Sequence, residues 1–129
     1  MQVRDAMSTT ILSIGPDHSL RDAARMMSAR RVGAAAVLDS DTSGIGILTE
    51  RDILNAIGAG QDPDTEKASA HLTSELVFAT PEWSLDKAAE AMNRGGFRHL
   101  IVLDSSGEIV GIVSVRDIVR VWSHQMSSA

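Results

Sequence analysis

No cysteine occurs in the 129 residues. Disulfides, thiolate metal sites and cysteine nucleophiles are therefore excluded together, and a reducing intracellular setting is permitted. Aromatic residues are scarce, with two Trp, two Phe and no Tyr, so a planar ligand has to lie between aliphatic side chains and backbone rather than between rings. Long apolar runs are missing as well. The longest, residues 32–38, falls far short of the roughly 18 residues a membrane span needs, and Met1, Gln2, Val3, Arg4 and Asp5 lead into no signal-peptide apolar region. The expectation is a cytoplasmic protein that does not span a membrane. Positive charge is in deficit, 12 Lys and Arg against 17 Asp and Glu for a net charge of −5, which argues against a dedicated nucleic-acid binder that draws its affinity from neutralised phosphates.

What the chain does have is 43% hydrophobic residues, enough at the length of one ordinary domain to bury a core. It also has an internal repeat, the feature to seek before any secondary structure is assigned. Displacement by 65 residues lays residues 16–54 over 81–119 without a gap, and 15 of the 39 aligned pairs are identical. Among them are Pro16/Pro81, Ser19/Ser84, Met27/Met92, Gly46/Gly111, Arg51/Arg116 and Asp52/Asp117. Duplication explains the pattern most economically. The division that follows is repeat 1 at residues 1–60, a linker with a short helix at 61–72, and repeat 2 at 73–129.

Within each copy the apolar spacing alternates between two periods. Leu20, Ala23, Ala24 and Met27 stand at i, i+3, i+4 and i+7, the stripe of an amphipathic helix, with Ser19 placed to cap it; Ser84, Leu85, Ala88, Ala89 and Met92 repeat the arrangement. Apolar runs at 34–38 and 45–48, or 100–103 and 109–113, are too short for helices and read as buried strands separated by turns rich in Asp, Ser and Gly. A second helix is predicted directly after Thr49 or Ser114. Short extended stretches at 10–14 and 76–79, each followed by a proline, precede the first helices. Methionines 26, 27 and 92 read as core filler, and Trp122 suits either a core or a subunit interface. A single unit of this size is marginal alone, so two copies packed through their sheets are expected.

The chemistry concentrates where a strand runs into a helix. Gly46-Ile47-Leu48-Thr49-Glu50-Arg51-Asp52 and Gly111-Ile112-Val113-Ser114-Val115-Arg116-Asp117 each place an acidic residue three positions after a hydroxyl. One reading is a capping box. The other is a sugar-phosphate site, in which helix N-terminal amides and the hydroxyl take the phosphate while the carboxylate accepts from two vicinal ribose hydroxyls. Arg51 and Arg116 either supply positive charge there or are ordinary solvated residues. Arg98 and His99 begin a strand in the second copy, where the first has Gly33 and Ala34; they are either a solvated strand end or a phosphate clamp, and the clamp reading makes the two sites unequal. The four His have no metal-ligand spacing, no metal site is expected, and neither a nucleophile elbow nor a phosphate-binding glycine loop is present. No catalytic set emerges, so the chain is not expected to be an enzyme.

These motifs resemble the cystathionine-β-synthase (CBS) domain, found in tandem pairs called Bateman modules. The resemblance runs from Val3-Arg4-Asp5-Ala6-Met7 to Trp122 and is most specific in the paired Gly-Ile-(Leu/Val)-(Thr/Ser)-x-Arg-Asp segments, in Phe97-Arg98-His99-Leu100, and in the Pro-x-x-Ser-Leu helix starts. It implies an α/β (α+β) fold of two β-α-β-β-α repeats packed by their sheets with pseudo-twofold symmetry. It also implies clefts that bind AMP, ADP, ATP or S-adenosylmethionine, with no further cofactor. Carried across, Asp52 and Asp117 match ribose-binding carboxylates, Thr49 and Ser114 the neighbouring hydroxyls, and Arg98 and His99 a basic pair used for phosphates. Residues 11–14 and 76–79 match the segments that hold adenine. Gly33-Ala34 departs from the pattern by lacking the basic pair. The resemblance further implies a homodimer of modules acting on an unidentified regulated protein, with a ligand-independent interaction scaffold as the alternative.

Overall fold

The computed structural model describes residues 1–128. In chain order the elements are β1 (Ser13–Ile14), α1 (Leu20–Arg30), β2 (Ala34–Asp39), β3 (Gly44–Thr49), α2 (Glu50–Gly58), β4 (Phe78–Ala79), α3 (Leu85–Gly95), β5 (His99–Leu103), β6 (Ile109–Ser114) and α4 (Val115–Ser128), with single 3-10 turns at Val3–Asp5 and Ala68–Ala70. Each repeat is thus β-α-β-β-α. The fold is mixed α+β, built on two three-stranded sheets of order β1-β2-β3 and β4-β5-β6. In both, the short first strand runs parallel to the central strand, and the central strand pairs antiparallel with the third.

The chain divides into two compact units. One is Ile11–Leu76; the other joins Met1–Thr10 to the chain from Val77 onward. The segment preceding each repeat therefore completes the body of the other repeat. Ser8 exchanges both backbone hydrogen bonds with Ile112, at 2.9 and 3.0 Å, and Thr73 does the same with Ile47, at 2.9 Å each. These bridges are themselves offset by 65 residues, as are the two 3-10 turns. Val3 and Ala6 are buried in the core with Leu85, Leu100 and Val113, while Ala68 and Leu72 pack in the other core with Leu20, Val37 and Leu48.

Capping follows the residue chemistry. Ser19 accepts from the Asp22 amide and Ser84 from the Lys87 amide, each at 3.0 Å, as hydroxyls at N-caps do. Met27 and Met92 are buried on the inner faces of α1 and α3. The central strands β2 and β5 bury consecutive residues, but β6 alternates and Leu38, in the run expected to be buried, is 40% exposed. The difference arises because a run of apolar residues marks only a strand's centre, whereas strand ends and edge positions meet solvent.

Helices α1 and α3 end alike, with a left-handed residue whose successor amide returns to a methionine carbonyl: Val32 N to Met27 O at 3.0 Å, and Phe97 N to Met92 O at 3.1 Å. In α3 the left-handed residue is Gly96 at φ 70°; in α1 it is Arg31 at φ 55°. A side chain in that region costs roughly 1–2 kcal/mol, partly offset by the smaller entropy an arginine loses on folding relative to glycine. Arg31→Gly is expected to stabilise the protein by up to about 1 kcal/mol, measured as a higher urea midpoint at unchanged slope.

Candidate functional site

In the first repeat the register sets Ala34 opposite Thr49, and the Glu50 amide donates to the Gly33 carbonyl at 2.9 Å. This joins the start of β2 to the N-terminus of α2. Thr49 is the N-cap: its hydroxyl accepts from the Asp52 amide at 3.3 Å, and Asp52 Oδ2 accepts from the Thr49 amide at 2.8 Å and from the Thr49 hydroxyl at 3.0 Å. The capping box expected from the spacing is formed. Asp52 Oδ1 has no protein partner among the described residues. A half-buried carboxylate is therefore held rigidly by one oxygen while the other stays available as an acceptor.

The second repeat builds the same end from β5, β6 and α4. His99 lies opposite Ser114, and the Val115 amide donates to the Arg98 carbonyl at 2.9 Å. Ser114 N donates to Asp117 Oδ2 at 2.9 Å, and the Asp117 amide donates back to the Ser114 hydroxyl at 3.1 Å. Arg98, His99, Ser114 and Asp117, 19 positions apart at the extremes, are thus brought to one strand end within one unit. Arg51 and Arg116 occupy the first turns of α2 and α4 and are exposed. With that of Arg98, also exposed, their side chains make no hydrogen bond or ion pair among the described residues.

Two features escape a motif search. Arg120 donates to the Ala6 carbonyl at 3.2 Å and lies 3.4 Å from Asp117 Oδ1, so the second carboxylate has a basic neighbour that the first lacks. The residue matching Arg120 in the first repeat is Asn55, and Glu50 matches Val115. Alignment of the two copies beyond the identical positions is the signal that finds both. Among the described residues no group of three or more His, Cys, Asp and Glu is placed to hold a metal ion, and no helix is long and apolar enough to cross a membrane.

The sequence profile of the CBS domain matches residues 3–59 and again 68–124. The chain belongs to the CBS domain family. The two CBS matches are spaced by the same 65 residues as the repeat, and each begins at a 3-10 turn packed on the other repeat's body. A 17.7 kDa protein of Acidianus ambivalens is 32% identical over 119 residues, covering 92% of this chain and 71% of that protein. The CBS domain-containing protein YhcV of Bacillus subtilis is 33% identical over 117 residues, 90% of this chain and 81% of its own length. Among solved structures, a CBS domain protein of Pyrobaculum aerophilum complexed with AMP superposes with a TM-score of 0.84 at 26% identity, with full coverage of both chains.

Proposed function

We propose that this CBS pair is a regulatory module without catalytic activity that binds an adenine nucleotide and passes the bound state to a protein partner. AMP is the first candidate, ahead of ADP, ATP and S-adenosylmethionine. The observation that carries the reading is the rigid carboxylate at each strand end: Asp52 and Asp117 are each fixed through Oδ2 to the residue that caps the helix. A carboxylate so held accepts hydrogen bonds from two vicinal hydroxyls with little ordering left to do, and each such charge-assisted bond contributes about 1.5–3 kcal/mol. The AMP complex of the Pyrobaculum aerophilum relative supports an adenosine ligand. With no tyrosine in the chain, the base is held by aliphatic side chains and backbone.

Calorimetry with AMP, ADP, ATP and S-adenosylmethionine tests this. The wild-type chain is expected to bind at least one of the four, and the double variant Asp52→Ala with Asp117→Ala to bind it at least tenfold more weakly. Circular dichroism of the variant separates lost binding from a lost cap, which by itself costs about 1 kcal/mol. Absence of binding by all four ligands, or binding indifferent to both substitutions, overturns the reading.

A second observation favours self-association. Helix α4 leaves Val115, Val119, Trp122 and Met126 exposed, at 40, 52, 38 and 79%. Their spacing of four, three and four residues puts them on one face, and Leu54 and Ile57 are exposed at the matching positions of α2. A homodimer that covers this face is the arrangement we infer. Trp122→Asp is expected to shift the sedimentation velocity peak from dimer to monomer; a wild-type monomer at micromolar concentration rejects it. A dimer whose mass and melting temperature are untouched by every nucleotide would mark the protein as a ligand-independent scaffold instead.

A further inference from the structure

The strand ends of the two repeats share their hydroxyl, arginine and carboxylate, at Thr49/Ser114, Arg51/Arg116 and Asp52/Asp117. Among the neighbouring matched positions, three change formal charge with His counted neutral, and all three change it in the same direction. Gly33, whose carbonyl accepts from the Glu50 amide, is matched by Arg98, whose carbonyl accepts from the Val115 amide. Glu50, the first residue of α2, is matched by the uncharged Val115. Asn55 is matched by Arg120, which lies beside Asp117. In the first repeat Arg51 stands against Glu50 and Asp52, a formal charge of −1; in the second Arg98, Arg116 and Arg120 stand against Asp117, a formal charge of +2. Arg30 and Arg31 of the first repeat belong to the last turn and left-handed cap of α1, where they neighbour the negative end of that helix.

We propose that the two repeats sort ribonucleosides by charge, an inference that rests on the nucleotide reading above. The second repeat takes the phosphorylated ligand. The side chains of Arg98 and Arg116 are exposed and make no hydrogen bond or ion pair among the described residues, so binding a phosphate breaks no existing ion pair. The phosphate of a nucleoside monophosphate carries nearly two negative charges at neutral pH and presents several strong acceptors, which a guanidinium meets bidentately. The first repeat takes an uncharged or cationic ribonucleoside. Its carboxylate offers the same ribose contact, but Glu50 repels a phosphate and Gly33 supplies no cation. Glu50 and Arg98 are then the residues that set ligand charge, while Asp52 and Asp117 recognise the sugar.

Calorimetric titration of the full chain with AMP and, separately, with adenosine decides the matter. Asp117→Ala is expected to weaken AMP binding at least tenfold more than Asp52→Ala does, with the order reversed for adenosine. Arg98→Gln is expected to narrow the preference of the second repeat for AMP over adenosine by about tenfold, and AMP affinity alone to fall on raising the salt concentration. Equal weakening of AMP by the two Asp substitutions, or an AMP-to-adenosine ratio unmoved by Arg98→Gln, overturns the sorting while nucleotide binding itself stands. If neither AMP nor adenosine binds and S-adenosylmethionine, ADP and ATP also fail, both the sorting and the nucleotide reading fall.

Discussion

Leu100→Ala is expected to destabilise the protein by about 3 kcal/mol, within the range of about 2–5 kcal/mol for truncating a buried leucine. Leu100 is the second residue of β5, 1% exposed, and pairs across the sheet with Val113, which is fully buried. In the first repeat the matching pair is Ala35 and Leu48, both fully buried, so the large residue stands on the other strand. The two cores thus carry the larger residue of the pair on opposite strands. Two further results follow. Ala35→Leu adds three carbon atoms opposite Leu48 and costs about 1–3 kcal/mol by overpacking. Val113→Leu on the Leu100→Ala background copies the first repeat's arrangement and recovers part of the loss. Urea unfolding monitored by circular dichroism measures all three; a loss below 1 kcal/mol for Leu100→Ala would show that the site collapses around the missing atoms.

The second large effect is expected at Gly111. This residue is buried in β6, and a Cβ placed on it would lie 2.6 Å from Met7 Sδ and 3.0 Å from the Ser8 carbonyl oxygen. Met7 can move; Ser8 cannot retreat without breaking the pair of hydrogen bonds it makes with Ile112. Gly111→Val therefore forces the first ten residues off the second repeat or strains β6, at an expected cost of about 2–3 kcal/mol. Detachment also exposes Val3 and Ala6, both buried against this repeat's core, and makes the bond after Arg4 accessible to trypsin. The matching substitution Gly46→Val is expected to be milder, because the three atoms nearest its Cβ all belong to the side chain of Leu72, the closest at 2.8 Å. Unchanged melting temperature and unchanged cleavage after Arg4 in Gly111→Val would refute this account.

Both predictions depend on comparing the copies, and the comparison shows what is legible in a sequence of this kind. Helices α1 and α3 were readable from the spacing of Leu20, Ala23 and Met27 and of Leu85, Ala88 and Met92, because a buried helical stripe repeats with the helix period. The central strands were readable because only a buried strand tolerates residues such as 34–37 and 100–102 in succession. The hydroxyl and carboxylate of each strand end were readable because a cap is a local structure, closed within four residues. The exchange of Asn55 for Arg120 shows once the copies are aligned, but the placing of Arg120 does not, since the carbonyl it donates to belongs to Ala6, 114 residues earlier. The role of Gly111 was likewise hidden, because its reason is the backbone of Ser8 and not its own neighbours in the chain.

The absences with which the sequence begins retain their force. A chain without cysteine or tyrosine, with few aromatics and a net charge of −5, has no thiolate chemistry and few rings to hold a ligand, and its duplicated Thr/Ser-x-Arg-Asp segments determine the elements, the caps and the chemistry of each strand end, all of which depend on residues close together in sequence. Tertiary structure alone decided which segment completes which body and which charges gather at each strand end. Residues 1–10 join the second repeat and residues 61–76 the first, because the open edges of β6 and β3 each need a partner with free backbone groups and a small residue to approach. That pairing is made between residues more than a hundred positions apart in one unit and 26 apart in the other, a separation over which no local pattern carries information.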